Sequence, residues 1–339
     1  MAYRVVVGNV PLTFTGFEEQ LAAEGIEARV LPADATAWTP ALMRDYVRDA
    51  DAMVGMFTTM KLPREVLAAG EKLRVVCSPV IGTEHIDVAA ATEFGIAVGF
   101  GATPENYLGV AEAIVMTMAM LRKNFPAKMA TVREGGWRVA HPGFMIRGST
   151  VGIIGFGNIG RGLAKRLAGW ECELLACDPY IDPAVAPPLN TKLVDLDTLL
   201  RRADTVALAV TLTKETWHMI GAREFGLMKR GAYIVNAARG GCIDEPAMIA
   251  ALDRGHLAGA AIDTWEIEPA TATDPMRSHP KILPTAHNVG HSEEAYASLP
   301  VAAIANLTRG LRGEAPLHFR NPEVFEKWRD RLRRLGANS

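Results

Sequence analysis

The chain has 339 residues, of which 49% are hydrophobic and 22% charged, and its formal net charge is −2. This length favours two domains over a single core, and the near-neutral charge provides no field that would attract nucleic acid or an anionic membrane. The four cysteines are scattered without a CxxC pair, so we expect no metal site and a reducing compartment. The N-terminal apolar run is too short for a signal peptide, and we therefore expect a cytoplasmic protein.

The first hundred residues alternate between strand-like and helix-like segments. The β-rich runs are YRVVVGN, EARVL, DAMVGMF, LRVVCSP and GIAVGF. The helical stretches between them are FEEQLAAEG, TPALMRDYVRDA and PREVLAAGE. Strands that alternate with helices predict a parallel sheet covered on both faces. The N-terminal part is therefore expected to be an α/β domain of its own, without a glycine fingerprint.

Residues 107–121, YLGVAEAIVMTMAML, form the most apolar segment and contain one acid, Glu112. The segment is shorter than the roughly 20 apolar residues that a bilayer crossing needs. It predicts a helix buried on all sides, inside the protein or at a subunit interface.

A second series of strands and helices begins at Ser149. Its strand candidates are STVGIIG, CELLACD, DTVALAV, AYIVNAA and LAGAAID, and its helices include NIGRGLAKRLAG and EPAMIAALDRG. One further helix, AYASLPVAAIANLTRGLRG, follows both series. This second series predicts a second α/β domain.

The second series opens on a glycine pattern, G-F-G-N-I-G, between its first strand and first helix. Gly155 permits a tight turn, Gly157 lets the backbone approach a pyrophosphate, and Gly160 lets the helix pack closely on the strand. Asp178 follows the next strand, 18 residues past the last glycine, where an acid hydrogen-bonds a ribose hydroxyl and repels a 2′-phosphate. The pattern predicts a dinucleotide site that prefers NAD to NADP.

Four polar residues follow later strand-like runs of the same series. Arg239 follows AYIVNAA, Asp263 and Glu268 follow LAGAAI, and His287 follows KILPTA. Because open parallel sheets bind ligands at the carboxyl ends of their strands, we expect these side chains to share one site.

Taken in order, these motifs resemble the signatures of the D-isomer-specific 2-hydroxyacid dehydrogenase family. The matching segments are GFGNIG with Asp178, NAARGGCIDE, DTWEIEP and AHNVGH, and the resemblance covers residues 75–321. SPVIGTEHIDVAAATEFGIAV resembles the family's substrate loop, and PENYLGVAEAIV its interdomain helix, which helps to form a homodimer. The resemblance implies two doubly wound parallel-sheet α/β domains, a Rossmann NAD-binding domain (residues 103–290) inserted into a flavodoxin-like substrate domain (residues 1–102 and 291–339).

The resemblance also implies the activity, a hydride transfer between NAD(H) and a D-2-hydroxy acid or 2-keto acid. Its catalytic residues would be Arg239, which holds the substrate carboxylate and carbonyl, His287, the acid/base, and Glu268, which raises the pKa of that histidine. Backbone amides around Ile81 and Gly82 would bind the carboxylate as well. Asp263 would contact the nicotinamide carboxamide. The expected cofactor contacts are Gly155, Gly157, Asn158, Ile159, Gly160, Asp178, Ala237 and Asp263.

Several positions depart from the family pattern. Ala286 replaces the usual proline before the histidine, Val289 replaces a small residue, His291 adds a second imidazole nearby, and Thr211 replaces a common proline. None of these changes removes a reacting group, but Ala286 and Val289 raise the question of how the His287 loop is held.

The substrate is predicted to be non-phosphorylated. Family members that act on 3-phosphoglycerate tend to carry arginines in the loop corresponding to residues 56–62, which here reads MFTTMKL with Lys61 as its one cation. Because the chain ends near residue 339, we also expect no added regulatory domain. Three alternatives remain: a phosphoglycerate-type dehydrogenase, a non-catalytic NAD-sensing scaffold like the corepressors that share the fold, and an oxidant of formate or phosphite. Glu268 disfavours the formate type, where a glutamine is expected beside the histidine.

Overall fold

The computed structural model describes residues 2–8, 16–32, 38–55 and 62–336. The chain divides into two compact units, Met1–Asn106 with Ser292–Ser339, and Tyr107–His291. Residues 56–61, with Lys61, on which the prediction of a non-phosphorylated substrate rests, lie outside the described residues.

The secondary structure alternates along almost the whole described chain. The strands are β1 Tyr3–Val7, β2 Ile26–Val30, β3 Ala52–Val54, β4 Val75–Ser78, β5 Ala97–Phe100, β6 Thr150–Ile154, β7 Glu173–Cys177, β8 Thr191–Leu193, β9 Thr205–Leu208, β10 Ala232–Asn236, β11 Leu257–Ile262 and β12 Ile282–Pro284. The helices are α1 Phe17–Ala23, α2 Pro40–Val47, α3 Arg64–Ala69, α4 Val88–Phe94, α5 Pro104–Arg122, α6 Phe125–Arg133, α7 Asn158–Arg166, α8 Leu196–Arg202, α9 Ala222–Leu227, α10 Glu245–Asp253, α11 Glu293–Leu311 and α12 Phe325–Arg334.

The first unit is built on a parallel five-stranded sheet in the order β2-β1-β3-β4-β5, which is the flavodoxin order. Apolar side chains leave the sheet on both faces. One layer packs on α1, α11 and α12 around Trp328, and the other packs on α2, α3 and α4 around Met43. The prediction of a doubly wound N-terminal domain is therefore confirmed.

The second unit contains a parallel seven-stranded sheet in the order β12-β11-β10-β9-β6-β7-β8. Its glycine-loop strand β6 lies inside the sheet between β9 and β7, and the chain winds from β6 first toward β8 and then back toward β12, the Rossmann arrangement. The sequence did not indicate β8, which has three residues, too few for an alternating pattern to be recognised. The strand-like run KILPTA before His287 contains β12.

Helix α5 buries one face within the chain, through residues such as Ile114 and Met118, while Glu112 and Met116 are exposed. Burial of the whole helix inside the protein is therefore wrong, because a long apolar run does not distinguish a core-facing stripe from an exposed one. Burial of the exposed face at a subunit interface stays a prediction. Among the described helices, none is long and apolar enough to cross a membrane.

Candidate active site

The glycine loop has three distinct local environments. Gly155 has φ 90°, and a Cβ there would lie 2.6 Å from the Ala209 carbonyl oxygen. A Cβ at Gly160, in the first turn of α7, would overlap the carbonyl oxygen of Gly155. At Gly157, which caps α7, a Cβ would meet no atom within 4 Å. The open space beside Gly157 lets a pyrophosphate approach the backbone at the helix N-terminus, so the residues fit a dinucleotide.

Asp178 joins two loops at the carboxyl edge of the second sheet. One carboxylate oxygen accepts a hydrogen bond from the Phe156 N–H at 2.8 Å, and the other accepts from the Tyr180 N–H at 3.0 Å. Since a carboxylate oxygen has two lone pairs, each oxygen can still accept from a ribose hydroxyl. The predicted ribose contact is compatible with this geometry and stays a prediction.

The first residues of α7 belong to the same loop. Asn158 uses its side-chain oxygen to accept from Arg161 at 2.9 Å, and Ile159 is partly buried against the core of the unit. Their backbone amides lie in the first turn of the helix, where intrahelical acceptors are lacking. They therefore stay candidates for phosphate contacts.

Arg239 lies on a turn whose shape is set by a residue that the sequence analysis missed. Asn236, the last residue of β10, is 1% exposed; its amide donates to the Arg239 carbonyl at 2.9 Å and accepts from the Ala238 N–H at 3.0 Å. Ala237 lies inside this turn. The guanidinium of Arg239 donates to the Ala238 carbonyl at 2.7 Å. The arginine is thus held at the edge of the sheet by its own turn.

His287 and Glu268 form a direct pair. Nδ1 of His287 lies 2.7 Å from one carboxylate oxygen of Glu268, and the other oxygen accepts from the Trp265 N–H at 2.9 Å. The backbone of His287 has φ 53°, a left-handed conformation that is uncommon outside glycine and is found at functional sites. Their side chains are 42% and 35% exposed, so the pair is accessible from solvent.

The charge of Arg239 acts on the carboxylate of Glu268. Burial raises the pKa of the Glu268 carboxyl, but hydrogen bonds from His287 and the Trp265 N–H, together with the charges of His287 and Arg239, outweigh it. The pKa of Glu268 therefore lies below its ordinary value. The carboxylate is charged at neutral pH and can stabilise an imidazolium. The structure thus brings Arg239, Glu268 and His287 into electrostatic contact within one unit.

Asp263 has a structural task that the sequence did not reveal. Its carboxylate is 7% exposed, and Oδ1 accepts from the Thr285 hydroxyl at 2.7 Å and from the N–H groups of Asn288 and Val289 at 3.0 and 3.1 Å. Its carbonyl accepts from the His287 N–H at 2.7 Å. The loop around His287 is held through backbone groups.

This arrangement answers the question raised by the departures from the family pattern. The bonds from Asp263 need neither a proline at position 286 nor a small side chain at position 289, because they use backbone N–H groups. The pKa of the nearby His291 is lowered. Burial and the charge of His287 lower it, and together they outweigh the charge of Asp263, which raises it. A histidine with a lowered pKa is mainly neutral at pH 7.

Ile81 and Gly82 belong to the other unit. The Ser78 hydroxyl donates to the Gly82 carbonyl at 2.6 Å, and Arg320 donates to the Ile81 carbonyl at 3.1 Å. Among the described residues, none accepts a hydrogen bond from the N–H of Ile81 or Gly82. Buried N–H groups are nearly always paired, and Gly82 is buried. Both amides are therefore available to an anion.

The second unit, with its Rossmann sheet, glycine loop and following aspartate, is a dinucleotide-binding domain. Residues 115–289 match the family model described as "D-isomer specific 2-hydroxyacid dehydrogenase, NAD binding domain". The chain belongs to the D-isomer specific 2-hydroxyacid dehydrogenase family. The predictions of family, fold class and an NAD-binding domain are confirmed.

Curated relatives fall into two groups. A D-3-phosphoglycerate dehydrogenase of Methanocaldococcus jannaschii is 36% identical over 282 residues, which are 83% of this chain and 53% of that protein. A glyoxylate reductase of Korarchaeum cryptofilum is 36% identical over 287 residues, 83% of this chain and 85% of that protein. The chain spans about half the length of the phosphoglycerate dehydrogenases that it matches.

A solved structure supports the same assignment. A glyoxylate reductase from Paecilomyes thermophila superposes with a TM-score of 0.86 at 25% identity, covering 95% of this chain and 99% of that chain.

Proposed function

We propose that the protein is an NAD-dependent oxidoreductase that transfers a hydride between NAD(H) and a non-phosphorylated D-2-hydroxy acid or 2-keto acid. One observation carries the proposal. On an NAD-binding domain, the imidazole of His287 is hydrogen-bonded to a charged Glu268 at 2.7 Å, and the charge of Arg239 also acts on that carboxylate. An acid/base, its orienting carboxylate and an anion-binding guanidinium are the groups that this reaction requires.

The bound cofactor supplies the hydride chemistry. The glycine loop and the first turn of α7 would hold its pyrophosphate and Asp178 its adenosine ribose, while Ala237 and Asp263, which follow β10 and β11, would contact its nicotinamide half. Because Asp178 is anionic, a 2′-phosphate is repelled and NAD is favoured over NADP.

His287 acts as the acid/base. Its Nδ1 is engaged by Glu268, so Nε2 is the atom that gives a proton to the substrate oxygen during reduction and takes one during oxidation. Glu268, charged because its pKa is lowered, stabilises the protonated ring.

The substrate carboxylate is bound by the planar fork of Arg239, which also polarises the neighbouring carbonyl. In the substrate domain, residues 1–102 and 291–339, the N–H groups of Ile81 and Gly82 are proposed as a further carboxylate contact. The unpaired state of these two amides among the described residues supports this role.

The proposal of a non-phosphorylated substrate rests on the sequence of residues 56–62, which contains a single cation. A phosphate dianion normally needs more charge-assisted hydrogen-bond donors than one lysine provides. The glyoxylate reductase relative, which aligns over most of both chains, supports this choice. The phosphoglycerate dehydrogenase relatives favour the alternative, so the substrate panel must include the phosphorylated acid.

The test is loss of NADH absorbance with glyoxylate, hydroxypyruvate, pyruvate, phenylpyruvate and 3-phosphohydroxypyruvate, repeated with NADPH. The proposal is supported if the protein turns over one of these acids and Arg239→Ala abolishes that turnover. The control is Arg201→Ala, at an exposed arginine on α8, which should leave turnover intact. 3-Phosphohydroxypyruvate as the best substrate would support the phosphoglycerate-type alternative. Tight NADH binding without turnover on any acid would support the non-catalytic scaffold.

We further propose a homodimer formed through α5, α6 and the segment after them. Several large apolar side chains are exposed there, and Trp137 is 83% exposed. The others are Met116, Phe125, Val132, Phe144 and Met145. Exposed apolar side chains concentrated in one stretch of the chain, residues 116–145, favour an interaction site there, and the family resemblance of α5 favours a second copy as the partner.

Sedimentation of wild-type protein and of Trp137→Asp tests the dimer. We expect the wild type to sediment as a dimer and the variant as a monomer, while Trp170→Asp, at another exposed tryptophan of the same unit, stays dimeric. A monomeric wild type would contradict the proposal.

We also propose that the protein resides in a reducing, cytoplasmic compartment. The four cysteines are free thiols, which supports this proposal.

A further inference from the structure

Three loops lie side by side at the carboxyl edge of the Rossmann sheet. Strand β6 is flanked by β9 and β7, so the glycine loop lies between the loop that begins at Ala209 and the loop that begins at Asp178. The Ala209 carbonyl packs against Gly155, and Asp178 accepts from the Phe156 N–H. The two outer loops therefore border the place where a Rossmann domain binds its dinucleotide.

A hydrogen bond joins the two outer loops. The hydroxyl of Tyr180 donates to a carboxylate oxygen of Glu215 at 2.6 Å. Tyr180 lies two residues after Asp178, and Glu215 lies in the loop after β9. Because β6 is between β7 and β9, the Tyr180–Glu215 bond crosses from one side of the glycine loop to the other.

Glu215 is carried by an ordered turn. The Thr216 hydroxyl accepts from the Thr213 N–H at 2.7 Å and donates to the Thr211 carbonyl at 2.8 Å, and the Glu215 N–H donates to the Thr213 hydroxyl at 3.2 Å. Side-chain hydroxyls that bond nearby backbone groups stabilise turns of this kind. The turn holds Glu215 on the side of the loop that faces Tyr180.

Two carboxylates act on the Tyr180 hydroxyl. The hydrogen bond and charge of Glu215 raise the pKa of Tyr180, and burial and the charge of Asp178 raise it further. The negative charge at this edge is therefore shared between Asp178 and Glu215. Lys214, beside Glu215 in sequence, forms no ion pair with a described residue, so removing the Glu215 charge would leave a net positive loop.

We propose that Glu215 is a second determinant of the preference for NAD over NADP, and that Tyr180 is the positioning residue that holds it beside Asp178. A 2′-phosphate brings up to two negative charges to the ribose end of the site, and two carboxylates repel it more strongly than one. The inference rests on the NAD site of the proposed function and needs no turnover.

The test measures dissociation constants of NAD⁺ and NADP⁺ for the full-length protein by calorimetry. In Glu215→Gln we expect NADP⁺ to bind about three- to tenfold more tightly while the NAD⁺ constant changes less than about twofold. The gain should shrink as salt is added, since exposed charges are screened. Tyr180→Phe should change the ratio of the NADP⁺ to the NAD⁺ dissociation constant in the same direction, by a smaller factor.

The matched control is Glu171→Gln, which also removes one charge from an exposed glutamate. Glu171 precedes β7, at the amino edge of the sheet and away from the glycine loop. This variant should leave the ratio of the two dissociation constants unchanged. Equal changes for both cofactors in Glu215→Gln, or an unchanged ratio, would overturn the inference while leaving the NAD site intact. A wild-type protein that binds neither cofactor would overturn the NAD site and the inference together.

Discussion

The same substitution at two glycines of the nucleotide loop should have opposite consequences. We expect Gly160→Ala to destabilise the folded protein and Gly157→Ala to abolish NAD binding while leaving the fold intact. The reason is that a Cβ at position 160 would overlap the Gly155 carbonyl oxygen, well inside the 3.0 Å that real Cβ atoms respect, whereas a Cβ at position 157 would meet nothing within 4 Å.

The magnitudes follow from these two environments. Overpacking a well-filled site costs about 1–3 kcal/mol, and we expect the upper part of that range, about 2–3 kcal/mol, because the overlapped oxygen is backbone and the helix itself must shift. Because Gly160 lies inside α7, the higher helix propensity of alanine offsets about 1 kcal/mol of this cost. The free energy of unfolding should therefore fall by about 1–2 kcal/mol. Gly157 has φ −72°, which alanine accepts, so the free energy of unfolding should change by less than about 0.5 kcal/mol.

Two measurements separate the effects. Urea unfolding without nucleotide, followed by tryptophan fluorescence, gives the stability of each variant, and titration with NADH gives its affinity. We expect Gly157→Ala to lose at least about 100-fold in affinity. Equal destabilisation of the two variants, or normal NADH affinity in Gly157→Ala, would refute the reasoning.

Three further predictions concern the groups around the catalytic pair. Asp263→Ala should lower the free energy of unfolding by about 3 kcal/mol because it leaves buried donors unpaired, and Asp263→Asn by about 1 kcal/mol because an acceptor remains; equal losses in urea unfolding would contradict this. Since the pKa of Glu268 is lowered in the folded state, its charge stabilises the protein above the unfolded value of about 4.3 and loses that effect as the pH falls through the lower folded value. The stability difference between wild type and Glu268→Gln should therefore shrink with acidification, and a difference that is constant from neutral to acid pH would argue against it. Asn236→Ala should cost about 2 kcal/mol and lower kcat/KM through the Arg239 turn, with unchanged kinetics counting against a positioning role.

Much of the fold followed from local pattern. Alternating apolar strands and amphipathic helices predicted two parallel-sheet domains, because each element carries its own periodicity. The glycine spacing between β6 and α7, with Asp178 after β7, predicted the nucleotide site because the turn, the helix start and the acid are all close in sequence.

The order of Arg239, Glu268 and His287 after successive strands was also sufficient to predict a shared site. Parallel strands place their carboxyl ends on one edge whatever the details of packing, so residues after neighbouring strands converge. The direct bond between His287 and Glu268 agrees with this expectation.

Only the tertiary structure revealed how these residues are held. The bonds from Asp263 to the His287 loop, the Asn236 turn beneath Arg239, and the Tyr180–Glu215 bond across the glycine loop depend on where side chains point after the sheet has formed. Spacing in sequence does not determine which donor meets which acceptor across 20 or more residues. The structure also decided which face of α5 is exposed, because the sheet of the second unit covers only the opposite face. The hydrophobicity of a segment does not determine which neighbouring element will bury it.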